Sequence, residues 1–315
     1  MYKILANTKD MTRTEWLLLR KRGIGGSDAG AVCGLNPYVS ALDVYYDKTN
    51  DAVTDDRDNE SMRLGRDLED YVAKRFCEET GFKVRRSNRM YQHEEYPFML
   101  ADVDRLIVGS EEGMVGLECK TASPFSAGKW KDGNIPAHYL AQCYHYMAVL
   151  GAKAWYIAVL IYGQEFKWIR LERDEEIIAD LIRIEKTFWE EHVKKGILPE
   201  PDGSEAAGNF INRYFSESKE ELSIALKDDV SEKLRRRQEL EEQIGVLGKE
   251  KQKIEQEVKL YLGEAESAEN RDFYVSWKSI ASSRIDAKKL KEEMPEVYEK
   301  FSKEVTSRRF LVKAA

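Results

Sequence analysis

Apolar positions recur along the chain at two periods, and each change of period marks a new element. Residues 12–20, TRTEWLLLR, form a helical pattern that Thr12 or Thr14 can cap. The Gly25-Gly26-Ser27-Asp28 run is a tight loop, from which Ser27 or Asp28 can cap a helix ending near Gly34. Asn36-Pro37 marks a turn, and a short helix is predicted from about Ser40 to Asp47. The polar stretch from Thr49 to Glu60 reads as a mobile loop. Leu68, Val72 and Phe76 recur at spacing four and predict a helix over 63–80, stopped by Gly81. Strands are predicted over Phe82–Arg86, Arg89–Gln92, Leu100–Val108 and Met114–Thr121, the last two forming a hairpin through 109–113. A helix over 136–150 ends at Gly151. Strand AWYIAVLI (154–161) turns at Gly163 into EFKWIRLE (165–172), and a long amphipathic helix follows from Asp174 to Lys195.

The remainder differs in character. GILPEPDGSEAAG (196–208) is rich in Gly and Pro and reads as a domain edge, giving a first domain over 1–200 and an extension over 205–315. Leu240, Ile244, Leu247, Lys251, Ile254, Val258 and Tyr261 alternate spacings of four and three, a heptad seam broken by one lysine and loosened by Gly245 and Gly248. An intramolecular helical hairpin, an oligomer contact and a partner-docking face would each use such a seam. A short strand over Phe273–Trp277, a helix over Asp286–Lys303 broken at Pro295, and a last strand over Arg309–Lys313 complete the expected appendage.

Composition narrows the class of protein. Hydrophobic residues make up 42% of the 315, enough for a sizeable core, yet no run approaches the length a membrane span needs. Met1–Asp10 lacks a secretion-type apolar run. Lys and Arg total 50 against 57 Asp and Glu, a net charge of -7, which excludes a simple basic DNA-coating protein but leaves room for a local basic groove. Lys21, Arg22, Arg85, Arg86 and Arg89 are candidates for that groove, or else solvated surface. Cys33, Cys77, Cys119 and Cys143 form no CxxC pair and read as buried free thiols. They fit a reducing cytosol better than an oxidising compartment. The four histidines are equally scattered.

The chemistry concentrates on the central strands. Asp102 and Asp104 share one face of the first strand, and Glu118 and Lys120 share one face of the next. A carboxylate there can hold a hard divalent cation, and a lysine two residues on is aimed into the same space. It could orient or deprotonate an attacking water and balance charge in a phosphate transition state. Glu69 lies at the edge of the apolar stripe of the 63–80 helix, a place where a carboxylate needs a reason. Taken alone, the D…ExK pattern equally fits ordinary surface pairs.

The blocks RKRGIGGSDAGAVCGLNPY, LGRDLE, ADVD, GLECKTA and HYLAQCYHYMAVLGAKAWYIAVL together make the pattern specific. In order and rough spacing the chain resembles the YqaJ-like viral recombinase family, the lambda-exonuclease branch of the PD-(D/E)xK nucleases. The resemblance implies an α/β, restriction-endonuclease-like core with a central mixed sheet flanked by helices, plus a mainly helical C-terminal appendage. It implies a Mg²⁺-dependent deoxyribonuclease, with Mn²⁺ substituting, that digests linear double-stranded DNA 5′ to 3′ and leaves 3′ single-stranded tails for phage-type recombination. Glu69, Asp104 and Glu118 then match metal ligands, with Asp102 the weaker neighbour and the Cys119 backbone carbonyl completing the shell. Lys120 matches the catalytic lysine and Gln142 the motif glutamine. Arg20 and Ser27, seven residues apart, match the residues that hold the 5′-terminal phosphate. Simpler roles stay open for three of them: Arg20 closing its helix, Ser27 only capping, Gln142 only bridging helices. One departure is Arg105, where the family often has glycine; strand alternation should turn it away from Asp104. The resemblance further implies a homo-oligomer (trimer or tetramer), a single-strand annealing partner, no membrane association, and the cytoplasm of a bacterial host carrying a phage or prophage. An endonuclease of the same fold, or a non-catalytic DNA-binding assembly module, are the competing readings.

Overall fold

Local side-chain chemistry sets the helix boundaries. In this computed structural model, which describes residues 2–52, 59–162, 164–304 and 306–313, a strand β1 (Tyr2–Asn7) precedes α1 (Arg13–Arg20). Thr12 and Glu15 cap α1 reciprocally, each side chain accepting from the other's backbone N–H. Helix α2 (Gly26–Val32) begins earlier than either expected cap would allow. Gly25 is its N-cap, and the Asp28 carboxylate accepts from the Gly25 N–H at 3.0 Å, so Ser27 takes no part in capping. Ser40 and Asp43 make another reciprocal pair at the start of α3 (Ala41–Thr49). Asn59 caps α4 (Glu60–Thr80), which ends on Gly81 with a φ of 75°, the left-handed conformation glycine tolerates. Most of the loop expected between Thr49 and Glu60 lies outside the described residues, as does the Gly163 turn.

The strands hold one surprise. After β2 (Val84–Arg86) and β3 (Arg89–His93), the single strand expected over Leu100–Val108 is two, β4 (Leu100–Asp102) and β5 (Arg105–Ile107). They belong to different sheets. β4 closes a three-stranded antiparallel sheet ordered β1-β3-β4, whereas β5 joins a five-stranded sheet ordered β2-β5-β6-β7-β8. Asp104 sits where the chain crosses from one sheet to the other. The strand paired with β5, β6 (Val115–Ala122), is followed by a 3₁₀ segment (Pro124–Gly133) that the hydrophobic pattern does not show. Then come α5 (Ala137–Leu150), β7 (Ala154–Ile161), β8 (Glu165–Glu172) and α6 (Glu175–Thr187), whose last turns are π-helical over Phe188–Val193. β6 and β7 run parallel and the other pairs antiparallel, so the core is the expected mixed sheet flanked by helices.

β7 explains the layering. A strand covered on both faces must be apolar at odd and even positions alike. Trp155, Ile157, Val159 and Ile161 pack into the larger core with Val149 and Met147 of α5, while Ala154, Tyr156 and Ala158 meet Val72 and Phe76 of α4. β6 is divided differently. Val115 and Leu117 join the α4 side, leaving Gly116, Glu118 and Lys120 for the α5 side. A Cβ on Gly116 would lie 2.1 Å from the Trp155 ring, so only glycine lets that indole fill the layer beside Glu118.

The first of two compact units runs from Met1 to Ser216 and the second from Glu217 to Ala315. The boundary expected near 200–205 is therefore displaced by α7 (Glu205–Tyr214). Ala207 and Phe210 are buried against Leu42 and Tyr46 of α3, and Arg213 pairs with Asp43 at 2.8 Å. The Gly/Pro composition of 196–208 hides a helix because its apolar face is short. The second unit holds α8 (Asp228–Leu262), a hairpin of β9 (Ser267–Glu269) and β10 (Tyr274–Ser276), and two short helices, α9 (Ala287–Glu293) and α10 (Pro295–Phe301). α8 continues through Gly245 and Gly248, with Ile244, Leu247, Ile254 and Tyr261 exposed. Arg309–Lys313 is not a strand. Among the described residues no helix is long and apolar enough to cross a membrane.

Burying a phenylalanine such as Phe210 contributes about 1.5–3 kcal/mol, a large share of the roughly 5–15 kcal/mol that holds a domain folded. A chain ending after Ser216 is therefore expected to unfold cooperatively near the temperature of its counterpart in the full chain. One ending after Gly203 should melt several degrees lower. Circular dichroism melts of the two truncations check this; equal midpoints would return α7 to the extension.

Candidate active site

Every site residue singled out from the sequence lines one cleft of about 960 Å³ in the first unit: Arg20, Ser27, Glu69, Asp104, Glu118, Cys119, Lys120 and Gln142, with Asp102 beside them. The fold brings them from six places. Arg20 ends α1, Ser27 lies in the first turn of α2, Glu69 is on α4, Asp104 is at the crossing between sheets, and Glu118 to Lys120 are on β6 facing Gln142 of α5. Of the basic residues considered for a groove, only Arg86 lines this cleft. Lys21 instead donates to the Asp47 and Asn50 carbonyls.

Glu118 is the most constrained of these groups. It is 2% exposed. One carboxylate oxygen, Oε1, accepts from Lys120 Nζ at 2.7 Å and from Gln142 Nε2 at 2.6 Å. The other, Oε2, is buried and has no hydrogen-bond partner among the described residues. Gln142 also donates to the Tyr146 hydroxyl at 3.0 Å, which fixes its amide. Asp104 turns Oδ2 onto the Cys119 N–H at 2.8 Å, tying the sheet crossing to β6.

Burial and like charge act together on the carboxylates. Asp104 is raised well above the usual range by desolvation, then by Glu118 and Glu69, against which Lys120 and the Cys119 N–H act more weakly. Glu118 is raised as well: burial outweighs the opposing pull of Lys120. For Lys120 the balance reverses. Burial works against its charge, but Glu118, Tyr139 and Asp104 together hold it as an ammonium with a raised pKa. Its Nζ lies 4.7 Å from the Tyr139 ring centroid, a cation–π contact. Burial, then Lys120 and Lys129, push His138 down to about 4, so that ring is neutral near pH 7.

A hard divalent cation fits part of this set. An unpartnered, buried carboxylate oxygen on Glu118, beside an Asp104 that resists ionising, is an arrangement that a cation would relieve. The full ligand set expected from the sequence is not assembled, however. Among the described residues no three His, Cys, Asp or Glu side chains converge into a ready metal cage. The physical reason lies at Glu69, whose carboxylate is held by Arg105. Arg105 does turn away from Asp104, as alternation requires, and that direction delivers it to α4.

On the opposite wall Arg20 Nη2 donates to Ser27 Oγ at 2.7 Å and to Asp28 Oδ1 at 3.2 Å. Lys48, its side chain fully buried, bridges Asp28 at 2.8 Å and donates to the Arg20 carbonyl at 3.1 Å. Asp28 is consequently depressed: burial opposes its charge, but Lys48 and Arg20 overcome it. The Arg20 guanidinium also lies 4.8 Å from the Trp16 ring centroid, and Trp16 Nε1 donates to Asp102. Asp102 is thereby committed to Trp16. Gly26 lets α2 approach α5, since a Cβ there would lie 2.4 Å from the Tyr146 ring. Trp16, Asp28, Lys48, Arg105, Tyr139 and Tyr146 are site residues that sequence reasoning missed. Tyr139 and Tyr146 had a legible signal, being spaced three before and four after Gln142 on one helical face; the others depend on contacts distant in sequence.

Clustered carboxylates cost stability when no cation is present. Asp104→Asn keeps an acceptor for the Cys119 N–H and removes one charge. It should stabilise the protein in excess chelator by an amount on the order of 1 kcal/mol at pH 8. Because the folded-state pKa of Asp104 is raised, the native protein recovers the difference as pH falls and the group takes up its proton. The gain from Asn should therefore shrink toward acid pH. Thermal melts of both proteins across pH 5–8 measure it, and a less stable variant at pH 8 would contradict the charge argument.

The YqaJ-like viral recombinase domain matches residues 15–153. Over 313 residues the chain is 39% identical to YqaJ of Bacillus subtilis (strain 168), an alignment spanning 99% of this chain and 97% of that protein. Among solved structures, an alkaline exonuclease (LHK-Exo) from Laribacter hongkongensis is similar at a TM-score of 0.48 and 19% identity, covering 64% of this chain and 98% of that one. LHK-Exo in complex with dAMP is similar at 0.47, with the same identity and coverage. With a relative matched nearly end to end and the domain match lying over the strands and helices that build the cleft, the chain belongs to the YqaJ-like viral recombinase domain family.

Proposed function

We propose that the protein is a divalent-metal-dependent deoxyribonuclease that digests linear double-stranded DNA from 5′ ends. The observation that carries the reading is the trio of half-buried Asp104, buried Glu118 and half-buried Lys120 in one cleft, with Lys120 Nζ 2.7 Å from Glu118 and two carboxylates that resist ionisation beside it. Family membership supports it. So does the Arg20 guanidinium beside the Ser27 hydroxyl in the same cleft.

Asp104 and Glu118, with the Cys119 backbone carbonyl, would hold Mg²⁺ or Mn²⁺, and Glu69 is the third carboxylate within reach of the site. The cation supplies charge to polarise the scissile phosphodiester. The chain's own groups do the rest. Lys120, as an ammonium, donates rather than accepts: it can hold a water by its lone pair and balance charge on the phosphate in the transition state. Gln142 fixes the Glu118 carboxylate from behind, and Tyr146 fixes Gln142.

A terminal 5′-phosphate carries more negative charge than an internal phosphodiester. The Arg20 guanidinium offers a planar fork of donors for it, and Ser27 adds a hydroxyl in the first turn of α2. Their mutual hydrogen bond and the Asp28–Lys48 brace set both groups in place beforehand. Recognition of that end after each cut would give 5′-to-3′ progress, leaving 3′ single-stranded tails. The homo-oligomer and single-strand annealing partner implied by the resemblance belong to the same proposal.

Two outcomes are expected. Chelator should abolish cleavage of linear duplex, and Lys120→Ala should lower turnover by roughly 10² or more with DNA binding nearly unchanged. Turnover on saturating end-labelled duplex, beside a filter-binding measurement, tests both. Separately, duplexes with 5′-phosphate ends should be degraded much faster than identical duplexes with 5′-hydroxyl ends, and closed circles should survive. Arg20→Ala should erode that preference. Equal rates on both ends with efficient cutting of circles would replace the exonuclease reading with an endonuclease.

A further inference from the structure

Arg105 is 3% exposed, and its side chain turns toward α4 from the strand position directly after Asp104. Its guanidinium makes a three-way grip. Nη1 donates to the Glu69 carboxylate and, at 2.7 Å, to the Asp104 carbonyl, while Nη2 donates to Asp70 at 2.5 Å. The grip therefore ties the helix that carries Glu69 to the backbone of Asp104. Asp70 has a second cation, Arg86, at 2.8 Å, whereas Glu69 shows Arg105 as its ion-pair partner. Arginine is chosen over lysine for such a task because its fork can serve two carboxylates and a carbonyl at once.

Charge arithmetic follows from this geometry. Three carboxylates facing one cation would attract it strongly, and in a half-buried cleft each unit charge several ångströms away still matters. With Arg105 on Glu69, the third carboxylate is largely cancelled. The cation then meets Asp104 and Glu118, with Lys120 nearby, and no complete cage. We propose that Arg105 is a positioning residue that holds Glu69 back from the metal, so that the cleft binds its divalent cation through Asp104 and Glu118 with deliberately moderate affinity. This rests on the metal-dependent reading above. It makes Glu69 a reserve ligand whose participation is set by Arg105.

Calorimetric titration of the full chain with Mn²⁺, without DNA, tests the inference through binding alone. Arg105→Gln should tighten Mn²⁺ binding roughly tenfold, because Glu69 is released while Arg86 still holds Asp70. Arg105→Lys, which keeps the charge but loses the fork, should fall between the unmodified chain and Arg105→Gln. Glu69→Gln should change the affinity little. In the double variant Glu69→Gln with Arg105→Gln the tightening should vanish, a coupling that general loosening of the fold would not produce. Melts in chelator verify that each variant is folded, and the Glu69→Gln measurement stands even if Arg105→Gln is not. Equal or weaker binding by Arg105→Gln, tightening that survives in the double variant, or a large loss in Glu69→Gln alone would overturn the inference while leaving the metal reading intact. Absence of Mn²⁺ binding by the unmodified chain would remove that reading and this inference with it.

Discussion

A carboxylate buried at Glu118 is the constraint on which the rest of the first unit depends. Removing an ionised group from water is costly unless it is paired and hydrogen-bonded. Here Lys120 and Gln142 share one oxygen, and among the described residues none hydrogen-bonds the other. Each supporting group then needs support of its own. Gln142 is held by Tyr146, and Lys120 lies on Tyr139, so one face of α5 is given over to the site. Tyr146 in turn needs Gly26 on α2, which places Ser27 and Asp28 at the opposite wall.

The sheet makes this burial possible by separating its two faces by function. On β7 both faces are apolar, one toward α5 and one toward α4. On β6 the α4 face is apolar from Val115 through Cys119; its α5 face carries glycine, glutamate and lysine in succession. The core packing of Leu117 and Val115 thus fixes where Glu118 and Lys120 point. Shifting β6 by one residue would exchange the two sets, so the stability of the core and the aim of the chemistry rest on the same register.

Much of this was legible in the sequence because it is local. The helix around 63–80 with its glycine stop, the strands 154–161 and 165–172, the helix before Gly151 and the mixed α/β class all follow from periodicity and end signals. So does the parity that sets Glu118 and Lys120 on one face. What failed was continuity. The period-two pattern passes unbroken through Val103–Asp104, since both flanking segments are strands, and gives no sign that the chain changes sheets there. The composition of 196–208 suggested a linker, yet Phe210 finds a seat on α3 that no nearby residue announces.

The sequence by itself determined which residues could do chemistry and on which face of each element they stand, because strand and helix periods are properties of the backbone. It also determined that α8 would carry an apolar seam. Tertiary structure decided what those residues are bonded to. Glu69 is engaged by a buried arginine 36 positions away, Asp102 is taken by Trp16, and Arg20 is braced by Lys48 through Asp28. Partner choice among charged groups depends on distances across the fold and on how much water each group has lost, and neither quantity is written in the spacing of residues along a chain.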